Sequence, residues 1–77
     1  MNNTIYCKVE YTPCWGTLGI GEAYMVEFID DNGKGHFAIN IGNNKDFKSW
    51  ARHVGSLPTN ETIENAIHIL KERGKLV

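Results

Sequence analysis

Asn32-Gly33 lies between two runs of strand-forming residues, 23–30 and 34–41, whose apolar positions match across it. Asn-Gly between such runs is the strongest short-range hairpin signal, because a type I′ turn needs positive φ at both central residues. With this pair at the turn, Asp31 stands opposite Lys34. Phe28 then faces Phe37, Val26 faces Ile39 and Tyr24 faces Ile41, all on one side of the ribbon. The other side pairs Ile29 with His36, Glu27 with Ala38 and Met25 with Asn40. A slip by one residue would mix the two sets, so the sorting supports the register.

The flanking segments extend this ribbon into a layered domain. Residues 4–11 alternate, with Ile5, Cys7, Val9 and Tyr11 on one side and Tyr6, Lys8 and Glu10 on the other, the pattern of a half-buried strand that ends at Pro13. Gly16, Gly19 and Gly21 interleave with Trp15, Leu18 and Ile20, which reads as a short strand around residues 16–20 or a glycine-rich loop. Phe47, Trp50, Ala51 and Val54 recur at helical spacing, with Asp46 in the first turn and Gly55 past the end. After Ser56-Leu57-Pro58, Thr59 or Asn60 caps a second helix whose apolar stripe is Ile63, Ala66, Ile67 and Leu70, with Lys71, Arg73 and Gly74 at its stop. The expectation is one α+β domain over residues 1–77. Its antiparallel sheet has three to four strands, and two antiparallel C-terminal helices cover one face. The covered face is expected to carry Ile5, Cys7, Val9, Tyr11, Tyr24, Val26, Phe28, Phe37, Ile39 and Ile41.

A chain of 77 residues is near the lower limit for an unaided core. Its net charge of −1 argues against non-specific nucleic-acid binding, which needs a clustered basic surface, and against a DNA mimic, which needs a large acidic excess. There is no signal-peptide pattern and no apolar run near the ~18 residues that a membrane span requires. The reading is a cytosolic protein with no membrane partner. Cys7 reads as a small buried hydrophobe and Cys14 as a loop thiol, and a bridge across Thr12-Pro13 is the minority alternative in a reducing compartment.

No catalytic trio or zinc-type spacing is present, and His36, His53 and His68 fall on three different elements. The reading is therefore no enzyme, no metal and no cofactor. Gly16-Thr17-Leu18-Gly19-Ile20-Gly21 resembles a phosphate loop only superficially, since it opens a strand rather than a helix. Trp50 belongs to an apolar stripe and reads as core. Trp15, among glycines, reads either as an interface anchor or as a lid over one end of the core.

What remains is the uncovered sheet face: Tyr6, Lys8, Glu10, Met25, Glu27, Ile29, His36, Ala38 and Asn40. Met, Ile and Tyr among mixed charges make it less polar than a solvated face needs to be, which is the composition of a recognition surface. Tyr6, Met25 and Ile29 would anchor a protein partner, Lys8, Glu10, Glu27 and His36 would orient it, and Trp15 would add contact at one end. Two other uses are weighed beside this one. Trp15, the glycine backbone and Lys8 could sequester a nucleotide signal, and the open face could instead form a homodimer.

Ser49-Trp50, Leu57-Pro58 and Ile63-Glu64-Asn65-Ala66 give the C-terminal half a likeness to known proteins. It resembles the small phage-encoded anti-CRISPR proteins that inhibit type I-F surveillance complexes, which have antiparallel strands followed by two antiparallel helices. The resemblance implies a non-enzymatic inhibitor acting in the host bacterial cytoplasm. It would dock through its open sheet face on the repeated backbone subunits of the guide-RNA complex and block target-DNA hybridisation. Tyr6 occupies a place comparable to an exposed first-strand tyrosine used for docking in that family. The glycine-rich stretch with Trp15 has no counterpart there.

Overall fold

The structure, a computed structural model, describes residues 6–11 and 21–77. Four strands precede one helix: β1 (Tyr6–Tyr11), β2 (Gly21–Asp30), β3 (Gly33–Gly42), β4 (Phe47–Gly55) and α1 (Asn60–Glu72). The strands form one antiparallel sheet in chain order, β1-β2-β3-β4. Ile5, Cys14, Trp15 and the strand expected around residues 16–20 lie outside the described residues.

The central hairpin forms, but its register is two residues from the expected one. Asp30 pairs with Gly33 and Ile29 with Lys34, so Phe28 stands opposite Gly35 and Val26 opposite Phe37. The reason is local. Lys45 is the only non-glycine with positive φ among the described residues, so neither Asp31 nor Asn32 adopts a type I′ conformation. Gly33 takes the positive φ instead, at 115°. The result is a turn one residue earlier, at Asp31-Asn32, followed by the positive-φ glycine, the arrangement of a three-residue hairpin loop. The Asp30 carboxylate stabilises it by accepting from the Asn32 N–H at 2.8 Å. A shift of two preserves sidedness, because side chains alternate with period two. Phe28 and Phe37 therefore still share the core face, as diagonal neighbours with ring centroids 5.7 Å apart.

The first of the two expected helices is a strand. Residues 47–55 pair with β3 along their length, and the register jumps twice. Asn40 faces Ser49 while Ile41 faces Phe47, so Lys48 is extra. His36 faces Val54 while Phe37 faces Arg52, so His53 is extra. Each extra residue is a β-bulge, and each reverses the alternation. The bulge at Lys48 lets Phe47 and Trp50, three apart, both follow the core-side residues Ile41 and Ile39. A spacing of three on one side is what a helix produces, so the bulged strand imitates a helical stripe. Aromatic and β-branched content at Phe47, Trp50 and Val54 favours the strand. Trp50 does pack on the core, from a strand rather than a helix, with its ring edge-on to Phe37 at 5.6 Å.

Helix α1 follows its sequence signals. Thr59 is the N-cap and its hydroxyl accepts from the Thr62 N–H at 3.2 Å. Gly74, at φ 77°, ends the helix, with Gly74 N–H donating to Lys71 C=O and Lys75 N–H to Leu70 C=O, the paired bonds of a Schellman stop. α1 lies over β1 and β2 and buries Ile63, Ala66 and Leu70 against Val9, Tyr24, Val26 and Phe28. Leu76 joins the same core. Cys7 packs at its margin as a free thiol, pushed up in pKa by burial. Tyr11, expected inside, is 53% exposed, because it lies at the end of an edge strand.

One buried carboxylate joins the hairpin to the helix. Asp30 is 5% exposed and its Oδ2 accepts from the Thr59 N–H at 3.0 Å, the Thr59 hydroxyl at 3.3 Å and the buried Thr62 hydroxyl. Burial alone would raise its pKa. The hydrogen bonds from the Thr62 hydroxyl, the Thr59 and Asn32 N–H groups and the Thr59 hydroxyl outweigh it, so Asp30 titrates below its ordinary value. A negative group at a helix N-terminus is also favoured by the dipole.

Asp30→Ala removes the buried carboxylate that the Thr59 N–H and the Thr62 hydroxyl share, and urea denaturation is expected to show a loss of about 3 kcal/mol. The folded pKa lies below the unfolded one, so this stabilisation is fully present above the unfolded value of about 3.9 and fades as pH falls through the folded value. Stability profiles of wild type and Asp30→Asn should differ by less at pH 2 than at pH 7.

Candidate docking face

The side of the sheet away from α1 collects the residues expected there. Register places Tyr6 beside Ile29 and Ile29 beside Lys34. The next row is Lys8, Glu27, His36 and Val54, and the one after it Glu10, Met25, Ala38 and Ala51. Ala23, Asn40 and Ser49 complete the face. Seven of the eight proposed contact residues, Tyr6, Lys8, Glu10, Met25, Glu27, Ile29 and His36, thus form one continuous surface. Trp15, the eighth, lies outside the described residues. α1 packs on the other side, against β1 and β2.

Apolar and charged side chains alternate across the face. Met25 and Ile29 are half-buried between their neighbours, and Tyr6 is 39% exposed. Ala23 and Ala38, on the same side, are buried. The charges largely answer one another. Lys8 Nζ lies 3.4 Å from Glu10 Oε2, two residues along the same strand face. The hydrogen bond from Lys8 to Glu10, and then the Glu10 charge, hold the Lys8 ammonium above its ordinary value. His36 Nε2 is 4.0 Å from Glu27 Oε2 across the β2–β3 ladder. At the far margin the Asn40 amide donates to Ser49 Oγ at 3.2 Å.

Val54 is the residue that sequence reasoning placed elsewhere. As part of a helical stripe it was expected in the core, and as a strand residue beyond the His53 bulge it faces outward beside His36, 53% exposed. Ala51 and Ser49 join the face for the same reason. The signal that could have found them was the β-propensity of Phe47, Trp50 and Val54, set against the helical spacing.

Among the described residues no group of three or more His, Cys, Asp or Glu side chains is placed to hold a metal ion, and no helix is long and apolar enough to cross a membrane. No family model, no curated protein and no solved structure matches the chain.

The placement of Val54 has a direct consequence. Val54→Lys on an exposed strand face is expected to change stability by no more than about 0.5 kcal/mol, whereas Ile39→Ala in the core is expected to cost about 3 kcal/mol. Thermal or urea denaturation of the two variants checks both; a Val54→Lys penalty equal to that of Ile39→Ala would return Val54 to the interior.

Proposed function

We propose that this chain is a small non-enzymatic protein-binding inhibitor that docks through the bare face of its sheet. The observation that supports it most is that Tyr6, Ile29, Met25 and Val54 share the side of the sheet away from α1, with Glu27 and His36 between them. Rigid strands hold these side chains in fixed register, so little ordering is needed on binding. Tyr6, Met25 and Ile29 act as anchors, and Lys8, Glu10, Glu27 and His36 set orientation and encounter rate.

The partner class comes from the resemblance to type I-F anti-CRISPR proteins. Ser49-Trp50, one of the strings that carries that likeness, lies on β4 and not on a helix, so the likeness does not extend to a pair of helices. Leu57-Pro58 and Ile63-Glu64-Asn65-Ala66 keep their places before and within α1. On this reading the protein covers the backbone subunits of the guide-RNA complex and prevents target-DNA pairing by steric occlusion.

The test is binding of the full chain to a purified type I-F surveillance complex, with target-DNA capture as the functional readout. Tyr6→Ala combined with Met25→Asp is expected to weaken binding at least about a hundredfold, as loss of two central anchors does, and to restore DNA capture. Unchanged inhibition by a folded double variant would show that the docking face is wrong. Absence of any binding by the wild type would show that the partner is wrong.

A further inference from the structure

On the opposite side of the molecule, at the C-terminal end of α1, two adjoining clefts of about 310 and 460 Å³ share Glu22 and Lys75 as a common wall. Lys45 lines the first, and Tyr11, Tyr24 and Arg73 line the second. Three cations thus converge around one carboxylate on a chain whose net charge is −1. Helix polarity explains a cation in the last turn of α1, and Lys71 already meets that need. It does not explain Lys45, which comes from the β3–β4 connection. Among the described residues neither Lys45 nor Lys75 has a carboxylate partner.

These groups are held in place. Lys45 adopts a φ of 63°, a conformation that lysine disfavours. Its N–H donates to Gly42 C=O at 2.9 Å and its C=O accepts from the Val77 N–H at 2.9 Å, which ties the loop to the chain's last residue. Arg73 Nη1 donates to Val9 C=O at 2.8 Å, anchoring its guanidinium beside the second cleft. Strained backbone fixed from both sides is a recurrent feature of ligand clamps.

The second cleft also offers a ring. Tyr11 is 53% exposed and its ring stands at 60° to that of Tyr24, with centroids 5.4 Å apart. The Tyr24 hydroxyl donates to Glu22 Oε1 at 3.0 Å. Burial, followed by that hydrogen bond and the Glu22 charge, pushes Tyr24 up to about 12, so it stays a donor at ordinary pH. Glu22 Oε2 remains able to accept from a ligand.

We propose that this pair of clefts is a binding site for a nucleoside monophosphate, with phosphate between Lys45 and Lys75, the planar base on Tyr11, and Glu22 accepting from a ligand hydroxyl or amine. A cleft lined by cations and an adjoining cleft lined by aromatic rings match a small ligand that carries both a charge and a ring. The site lies on the helix side of the sheet, apart from the docking face, so its fate is independent of the proposed inhibitor function.

The experiment is an amide NMR titration of the full chain with AMP, GMP, CMP and UMP, with adenosine and inorganic phosphate as separate arms. At least one nucleotide is expected to shift the amides of Glu22, Lys45, Gly74 and Lys75, and to bind at least about tenfold more tightly than adenosine or phosphate alone. Lys45→Ala with Lys75→Ala, and Tyr11→Ala, both at exposed positions, should each weaken it by about tenfold while leaving the rest of the spectrum unchanged. The proposal is overturned if no nucleotide shifts these amides at millimolar concentration. It is equally overturned if phosphate alone binds as well as the nucleotide, or if an acidic peptide shifts the amides and the nucleotides do not.

Discussion

The carboxylate of Asp30 decides how the two halves of this molecule meet. It closes the β2–β3 turn through the Asn32 N–H and receives the start of α1 through Thr59 and Thr62. A buried charge without partners would be untenable, and here each oxygen is hydrogen-bonded, so the group is retained as an ion. Because the same side chain serves the turn and the helix cap, the helix cannot rotate about its own axis or slide along the sheet without breaking the hairpin loop. Further contacts hold the same corner: Asn32 Nδ2 donates to Leu57 C=O at 3.1 Å and the Ser56 N–H to Lys34 C=O at 3.1 Å. Gly35 permits this closeness, since a Cβ there would meet Val54 C=O at 2.7 Å and the Ser56 backbone N at 2.9 Å.

With α1 pinned at that corner, it can cover β1 and β2 but not the whole sheet. The remaining core side, over β3 and β4, is closed from within the sheet. Phe28, Phe37 and Trp50 form a chain of tilted and edge-on rings from β2 to β4. Trp50 is the wide side chain at the end of this chain, and its strand needs the Lys48 bulge to bring it to the same side as Phe47. One helix and one tryptophan thus do the covering that two helices were expected to do. The reverse of the sheet receives none of this cover from the described residues, and the two candidate sites fall on opposite sides of the layer.

Much of this architecture was legible because sidedness survives errors of register. The alternation in residues 6–11, 23–30 and 34–41 placed Val9, Tyr24, Val26, Phe28, Phe37, Ile39 and Ile41 on the buried side, and all seven are buried. The turn itself was misread, since Asn-Gly favours a type I′ turn in isolation while the Asp30 carboxylate selects a turn one residue earlier. The bond from the Asn32 N–H to Asp30 is local, whereas Thr59 and Thr62, which hold the other carboxylate oxygen, come from far along the chain. β4 was misread because two bulges convert a strand's alternation into helical spacing, and a bulge is set by cross-strand pairing rather than by composition. The side of the sheet away from α1 was readable as far as its strands were, so the shared side of Tyr6, Lys8, Glu10, Met25, Glu27, Ile29 and His36 was legible and that of Val54 was not. The cleft at the end of α1 had no linear signature at all, since Tyr11, Glu22, Lys45 and Lys75 come from four separate segments.

The physical claim on which the functional reading stands is that one side of the sheet is sealed and the other is open to solvent. Paramagnetic relaxation of side-chain NMR signals by a soluble gadolinium chelate measures this directly in the free protein. The signals of Tyr6, Ile29, Met25 and Val54 are expected to be bleached strongly, and those of Val26, Ile39 and Leu70 to be protected. Equal protection of the two sets would mean that the supposed docking face is covered, and would contradict the account.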